Sequence, residues 1–306
     1  MKIADLIPDY LNHLKALGRS VRTIQGAGYD LRPFMRFLEQ QRVFDLEQLS
    51  ADVMAEYQQE LAFKLAVRRT LLSLRSQGQL LSAAKGFTRF LKQKDYLLND
   101  PGESIKLPRK PRTLPRAILT PEQVKQLLDA PDMQTNAVYR NRVIIEILYD
   151  TAIRRSELVA ICLQDLDLPA GFIRIQGKGR KERVVPLSQK VGALVRNYIL
   201  AVRPAYVQGA DPGYLILNRW GKPMAGNGIW EVVKKCAGLA GITKNITPHG
   251  LRHSCATHML KNGAPVRHLQ QMLGHESLES TQIYTHVTIN DLKQIHAKYH
   301  PSETIK

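Results

Sequence analysis

From Thr247 to Tyr284 the chain reads TPHGLRHSCATHMLKNGAPVRHLQQMLGHESLESTQIY, and this segment is the most informative about the fold. Its first residues begin a helix, because Thr247 is a typical N-cap and Pro248 a typical first helical residue. Gly263 suits the left-handed position that ends a helix. Between these ends apolar residues recur at four-residue steps, at Leu251, Cys255 and Met259. The pattern predicts one short helix.

Two more helices follow in the same stretch. Pro265 opens the first of them and Gly274 ends it, so that His275 emerges just past the cap. Its predicted inward positions are Val266, Leu269, Met272 and Leu273. Ser277 is then the expected N-cap of a helix that carries Tyr284.

Polar side chains that can handle a phosphate lie close together on these helices. His249 and Arg252 are three residues apart and share a helix face. That face begins near the helix N-terminus, where backbone N–H groups and the helix dipole attract an anion. The helices bring together two imidazoles, a guanidinium and a phenol, from His249, His275, Arg252 and Tyr284. This set suits phosphoryl transfer onto tyrosine.

The motifs of this stretch resemble those of the tyrosine recombinases, also called the phage integrase family, and most closely the Xer type. The resemblance rests on HGLRH at 249–253 with ATHML behind it, on LGH at 273–275, and on TQIYTHV at 281–287. Each piece alone is weak, but this order and spacing are specific. The resemblance extends over nearly the whole chain.

Charge and composition favour a protein that binds a polyanion. The chain of 306 residues has a formal net charge of +17, and both of its halves are basic. Its length favours two domains. A ribosome-associated or merely soluble basic protein is the alternative that charge alone leaves open.

Sequence features also bear on where the protein works. Three widely spaced cysteines suit reduced thiols in a cytosol, namely Cys162, Cys236 and Cys255. Acidic residues and a proline interrupt the N-terminus, which does not fit a signal peptide. No apolar run approaches membrane-spanning length. We therefore expect a cytoplasmic protein without a membrane partner.

The N-terminal third predicts a small helical bundle, since apolar residues recur at helical spacing and no strand pattern competes. Ser20 and Ser50 are expected helix starts. Further helix is expected from about Val67 to Leu98, with a break at Gly78. The SVRTI and DLRPFMRFL patterns also resemble the core-binding domain of Xer-type recombinases. Its basic residues form either a solvated face or contacts to DNA phosphates, and we favour the second for Arg68, Arg69, Lys85 and Arg89.

A proline-rich basic segment separates the two predicted domains. Such a segment cannot pack as a helix or a central strand. We predict an N-terminal DNA-binding domain at 1–107, a linker at 108–118 and a catalytic domain at 119–306. The linker either crosses a DNA duplex or is a plain spacer. DNA contact is expected for Arg109, Lys110 and Arg112.

The sequence TAIRRSEL at 151–158 places Arg154 and Glu157 three residues apart on one helix face. A pair at this spacing is often only a surface salt bridge. The family resemblance instead implies that Arg154 is catalytic and that Glu157 supports it. The family usually has Gly and a larger aliphatic residue where this chain has Ala152 and Ile153, a departure that should not move Arg154.

The pattern changes period between Ala170 and Leu187, which predicts an antiparallel hairpin with a GKG tip at 177–179. Glycines let the backbone approach a ligand closely and leave the lysine ammonium free to swing. A solubilising turn lysine is the alternative. Lys178 resembles the hairpin lysine of the family, and Lys181 is the second candidate.

These residue types suit attack on a phosphodiester. Arg154 and Arg252 can hold nonbridging oxygens and neutralise charge in the transition state, with His275 as a third donor. Tyr284 is then the nucleophile. Because the ordinary pKa of tyrosine is about 10, it needs a base, for which His249 is the candidate.

Lys178 would complete the reaction by protonating the departing deoxyribose oxygen. The family resemblance implies a 3′-phosphotyrosine, a free 5′-hydroxyl and re-ligation without ATP, cofactor or metal, since arginines do the work of a cation. A zinc site is the rival, because the region is rich in histidine. We reject it because no paired carboxylates or Cys-x-x-Cys pattern accompany the histidines.

Three functions fit the chain. The first is a site-specific recombinase that cuts and rejoins two DNA duplexes through a 3′-phosphotyrosine and a Holliday junction. The second is a type IB topoisomerase-like strand transferase that acts as a monomer, and the third is a DNA-binding protein without catalysis. The intact site residues argue against a DNA-binding protein without catalysis. A tail helix argues against a monomeric topoisomerase-like enzyme. The first could serve chromosome-dimer resolution, plasmid maintenance or mobile-element integration.

A capping-box variant at 288–291 begins that tail helix, and an apolar stripe supports it, at Leu292, Ile295 and Tyr299. Xer-like relatives dock this helix onto a neighbouring subunit, which implies a cyclic homo- or heterotetramer on a specific DNA site. A DNA translocase or accessory proteins are further partners that the resemblance allows. Packing onto its own domain is the alternative for the helix.

The fold expected from these patterns is mainly α with a small antiparallel β-sheet. It comprises an N-terminal helical bundle and a C-terminal tyrosine-recombinase catalytic domain. The family resemblance implies that the two form a C-shaped DNA clamp.

Overall fold

The computed structural model describes residues 1–64, 71–109, 118–177, 182–274 and 289–301. The chain divides into two compact units, Met1–Thr113 and Leu114–Lys306. Within the described ranges, every helix is too short or too polar to cross a membrane.

The first unit is a helical bundle, as predicted. Its helices are α1 (Ile7–Ala16), α2 (Val21–Gln40), α3 (Ala51–Phe63) and α4 (Leu74–Gln93). Serine hydroxyls begin three of them, since Ser20, Ser50 and Ser73 each accept a hydrogen bond from the backbone N–H three residues on. The predicted starts at Ser20 and Ser50 are confirmed. The core of the bundle is aromatic and aliphatic, with Phe34, Phe37, Tyr57 and Phe87 fully buried.

The predicted helix break at Gly78 is wrong. Helix α4 runs through Gly78 and ends at Gln93, before the predicted end at Leu98. Glycine costs a helix interior about 1 kcal/mol relative to alanine, but buried side chains beside it anchor this helix in the bundle, at Gln77 and Leu81. The start predicted near Val67 lies outside the described residues.

The second unit contains most of the helices. They are α5 (Pro121–Asp129), α6 (Asn136–Thr151), α7 (Arg155–Ala160), α8 (Gln189–Asn197), α9 (Gly226–Leu239), α10 (Pro248–Lys261), α11 (Val266–Leu273) and α12 (Ile289–Tyr299). Thr247 caps α10 by accepting from the Gly250 N–H, and Gly263 follows with a φ of 93°. Gly274 ends α11 with a φ of 62°. The predicted ends of these helices are confirmed.

One predicted inward position in α11 is wrong. Leu269, Met272 and Leu273 are buried, but Val266 is 56% exposed. Val266 is the first residue of the helix and therefore lies at the edge of its packed face.

A three-stranded antiparallel sheet accompanies these helices. Its strands are β1 (Leu166–Asp167), β2 (Phe172–Gln176) and β3 (Glu182–Pro186), in that order. Ile175 of β2 lies opposite Arg183 of β3. The predicted hairpin is confirmed, whereas β1 was not predicted because two residues carry no readable alternation. Residues 178–181, at the tip, lie outside the described ranges.

Helix α6 forms the centre of the second core, with Ile144, Ile147 and Leu148 fully buried. Helix α10 packs against it. Helix α12 packs on the domain of its own chain, against β3 and α11. Docking of this helix onto a neighbouring subunit therefore stays a prediction. The fold is mainly α with a small antiparallel sheet, as predicted.

Candidate active site

Arg154 and Glu157 form the first element of the site. The Glu157 carboxylate accepts hydrogen bonds from the Arg154 backbone N–H at 2.7 Å and from Arg154 Nη1 at 2.9 Å. The Glu157 side chain is only 5% exposed, whereas that of Arg154 is 42% exposed. Because the acid is buried, this contact is more than a surface salt bridge. It fixes one end of a guanidinium that stays partly exposed.

A second arginine, which the sequence analysis did not predict, binds the same carboxylate. Arg183 donates from Nη1 to Glu157 Oε1 and from Nη2 to Oε2, both at 2.8 Å. Burial would raise the pKa of Glu157, but hydrogen bonds from Arg183 and Arg154 bring it below its ordinary value. The carboxylate therefore stays ionised between two cations. No local sequence pattern marks Arg183, since it lies 26 residues from its partner.

Three successive carbonyl groups at the end of α11 each accept a hydrogen bond from a different arginine. The pairs are Arg183 Nε with Met272 at 3.0 Å, Arg252 Nη2 with Leu273 at 2.7 Å, and Arg154 Nη2 with Gly274 at 3.0 Å. Terminal carbonyls lack partners within a helix and carry the negative end of its dipole. The arginines satisfy these carbonyls, and the carbonyls hold the arginines at the end of α11.

Arg252 is buried, with 5% exposure. Its Nη1 donates at 2.7 Å to the carbonyl of Ala152, which follows α6. Burial, and then the charge of Arg154, lower the pKa of Arg252 to about 10, so that it remains charged at neutral pH. Ala152 has a left-handed φ of 49°, a conformation that glycine adopts without strain. This conformation gives a physical reason for the glycine that the family usually has here.

His249 lies on the first turn of α10, where part of its side chain is exposed and part is covered by the protein. Partial burial of its ring, followed by the charges of Arg252, His253 and Arg154, lowers its pKa below the ordinary value. The imidazole is therefore neutral at physiological pH and can accept a proton. The structure thus brings together Arg154, Glu157, His249 and Arg252.

His258 belongs to the core and not to this site. Its Nε2 lies 2.8 Å from the Leu119 carbonyl, to which it must donate, and its Nδ1 lies 2.9 Å from the Tyr149 hydroxyl, from which it then accepts. Burial lowers the pKa of His258 and favours this neutral form. The histidine therefore anchors α10 to the start of the second unit.

One group of potential metal ligands occurs in the described part of the chain, formed by Asp150, His296 and His300. The two imidazole rings are stacked, with centroids 4.4 Å apart and planes 8° from parallel. A ring nitrogen binds a metal in the plane of its ring, so stacked rings cannot point at one ion. His296 Nε2 also donates to the Asp150 carbonyl at 2.7 Å. As placed, the group anchors α12 and does not surround a cation.

Several predicted residues fall outside the described ranges. They are the catalytic candidates Lys178, His275 and Tyr284, the second hairpin candidate Lys181, and the DNA-binding candidates Arg68, Arg69, Lys110 and Arg112. Arg89 and Arg109 are exposed. Lys85 Nζ donates to the carbonyls of Glu103 and Ile105. That placement favours a structural role for Lys85, and its DNA contact stays a prediction.

Comparisons with known proteins agree with this fold. The phage integrase family matches residues 117–291, and the phage integrase N-terminal SAM-like domain matches residues 7–95. Tyrosine recombinase XerD of Staphylococcus saprophyticus subsp. saprophyticus is 36% identical over 297 residues, covering 97% of this chain and 98% of that protein.

Two solved structures share the fold. A lambda integrase(75-356) dimer bound to a COC' core site superposes with a TM-score of 0.70 at 15% identity, covering 94% of this chain and 100% of that one. The XerH site-specific recombinase bound to difH substrate, a pre-cleavage complex, gives a TM-score of 0.66 at 24% identity, covering 93% and 82%.

The fold and these similarities define an enzyme that breaks and rejoins DNA. The chain belongs to the phage integrase family, the tyrosine recombinases.

Proposed function

We propose that the protein is an Xer-type site-specific recombinase. It cuts and rejoins two DNA duplexes through a 3′-phosphotyrosine intermediate and a Holliday junction, without metal or ATP. The observation that supports this most is the joint attachment of Arg154 and Arg252 to the carbonyl end of α11. Both cations are thereby held beside the sequence that continues to His275 and Tyr284.

The two arginines bind the scissile phosphate. Arg154 is partly exposed and is oriented by Glu157, and Arg252 is fixed by two backbone carbonyls. Among the described residues, the side-chain bonds of each guanidinium use two of its five N–H donors, which leaves donors for a nonbridging oxygen. Cations fixed in advance stabilise the charge of the transition state without reorganising during the reaction. His275 adds a further donor.

Tyr284 is the nucleophile. It attacks phosphorus, and the bond to the 5′ oxygen breaks, which leaves the 3′ phosphate on tyrosine and a free 5′-hydroxyl. His249, with its lowered pKa, accepts the phenolic proton. Lys178 follows β2 on the hairpin and protonates the departing oxygen. Because the ester is exchanged and not hydrolysed, attack by a second 5′-hydroxyl reverses the steps and rejoins the strand.

The N-terminal domain and the linker hold the duplex. We assign residues 1–107 to DNA binding, 108–118 to a basic linker and 119–306 to catalysis. Exposed Arg89 and Arg109 are expected to contact phosphates, together with Arg68, Arg69, Lys110 and Arg112. A formal net charge of +17 supports this partner, and we propose that the protein acts on DNA in the cytoplasm.

Recombination requires several copies of the chain on DNA. We propose a homo- or heterotetramer in which α12 leaves its own domain and docks onto the next subunit. Within its own domain α12 makes contacts through Ile295, His296 and Tyr299. A neighbouring subunit would have to offer equivalent contacts to these residues. The 36% identity to an Xer-named recombinase over 97% of the chain favours this function over a topoisomerase-like one.

A nicked suicide substrate tests the reaction. Cleavage next to the nick lets a short fragment diffuse away, so that the covalent protein–DNA adduct accumulates. The wild-type protein should form this adduct without added metal or ATP. Tyr284→Phe should bind DNA equally well and form none. An adduct of undiminished yield with Tyr284→Phe would refute the nucleophile assignment.

A further inference from the structure

Every guanidinium nitrogen of Arg183 donates to an acceptor of the protein itself. Its three guanidinium nitrogens bond to the two carboxylate oxygens of Glu157 and to the Met272 carbonyl. Its side chain is 14% exposed, against 42% for Arg154. Arg183 is therefore less available to a substrate phosphate than the neighbouring Arg154.

The charges of this cluster require a second cation. Glu157 carries one negative charge, and a buried carboxylate paired with Arg154 alone would offset the positive charge that Arg154 offers to a phosphate. Arg183 takes both carboxylate oxygens at 2.8 Å, whereas Arg154 Nη1 shares only one of them, at 2.9 Å. The cluster of two guanidiniums and one carboxylate therefore keeps a net charge of +1, and its exposed member is Arg154.

Arg183 also joins two segments that lead to predicted catalytic residues. It lies on β3, five residues after Lys178, and bonds to the last turn of α11, three residues before His275. The fit is close, because a Cβ at Gly274 would stand 3.2 Å from Arg183 Cζ, Nε and Nη1. Movement of Arg183 would therefore disturb the end of α11 as well as Glu157.

We infer that Arg183 is a positioning residue of the recombinase site: it neutralises Glu157, so that this carboxylate orients Arg154 without cancelling its charge, and it fixes the end of α11. This role rests on the proposed function, because it assumes that Arg154 binds the scissile phosphate. Arg183 itself does not touch the reacting atoms.

The test is single-turnover adduct formation on the nicked substrate at saturating protein. Arg183→Met should slow the rate constant about 10- to 100-fold, with DNA affinity within about twofold of wild type. Arg183→Lys keeps the positive charge, but one ammonium group cannot span three acceptors. Its rate constant should therefore lie between those of wild type and Arg183→Met. The decisive variant is the double change Arg183→Met with Glu157→Gln. Without the unneutralised carboxylate, it should react about tenfold faster than Arg183→Met alone.

Arg174→Met is the matched control, because Arg174 lies on the neighbouring strand β2 and its contacts, to Asp165 at 3.9 Å and to the Gln164 carbonyl at 3.4 Å, are long and do not involve Glu157. Its rate should equal that of wild type. A wild-type rate for Arg183→Met would overturn the inference. So would a slow Arg183→Met that Glu157→Gln fails to accelerate, since a merely structural arginine gives that result. Failure of the proposed function is distinguishable, because the wild-type protein would then form no adduct.

Discussion

The guanidinium of Arg252 donates a 2.7 Å hydrogen bond to the carbonyl of Leu273, which joins the first turns of α10 to the last residue of α11. Its other terminal nitrogen binds Ala152, at the end of α6. One side chain thereby fixes the ends of three helices around the site. A substitution that removes the Arg252 guanidinium would remove its charge and its positioning role together.

Arg252→Lys separates the two contributions. Lysine keeps the positive charge, but a single ammonium group cannot reach both carbonyls and a phosphate with the same geometry. We expect adduct formation to slow by about 100-fold, with DNA affinity nearly unchanged. Arg155→Lys is the control, because Arg155 follows Arg154 in the sequence and no role in the reaction is assigned to it. Equal rates for both variants would show that Arg252 acts through charge alone.

The lowered pKa of His249 predicts the pH dependence of cleavage. As the proposed base, His249 must be neutral, and burial and neighbouring cations make it lose its proton below the ordinary value of 6.5. The rate constant should therefore be level through neutral pH and fall only on the acid side of 6.5. His249→Asn should be slow and should lack this acid limb. The same fall in rate at acid pH in His249→Asn would show that a group other than His249 causes it.

The linker prediction concerns affinity and not rate. Each phosphate contact that is lost should reduce the slope of log affinity against log salt by about 0.9. Changing Arg109 and Lys110 to Ala should thus reduce the slope by nearly 2 and weaken binding evenly across sequences. Lys15→Ala, at an exposed lysine of α1, serves as control. An unchanged slope would make the segment a plain spacer.

The packing of α12 should weaken in acid. Burial, with the adjacent His296, lowers the pKa of His300 to about 3 from an ordinary 6.5. His300 is thus neutral when folded, and its contribution is complete above pH 6.5 and declines as the pH falls from 6.5 towards 3. The loss between pH 7 and 5 should be about 2 kcal/mol. Thermal melting at pH 7 and pH 5 should show this loss of stability in the wild type, and the loss should be smaller in His300→Asn. An equal loss of stability in wild type and His300→Asn would show that a group other than His300 titrates.

Local signals in the sequence predicted much of the fold. Thr247 and Ser50 are capping residues, and the structure uses both of them to begin helices. Gly274 was correctly predicted to end α11. At Gly78 the same kind of signal failed, because packing of α4 in the bundle outweighs the local cost of one glycine.

The site was predictable only where its residues are close in sequence or belong to a recognisable motif. Arg154 and Glu157 share one turn, and the structure has their predicted contact. Arg183 comes from a distant strand, and its partners become neighbours only through the tertiary fold. The burial of His300 could not be predicted from the sequence either, because its neighbour Asp150 lies on α6, far away in the chain.

Mass spectrometry of the trapped protein–DNA complex, after nuclease and protease digestion, identifies the side chain that carries the DNA. A nucleotide joined through its 3′ phosphate to the oxygen of Tyr284 is the result that this mechanism predicts. A nucleotide on any other side chain, or on none, would contradict it.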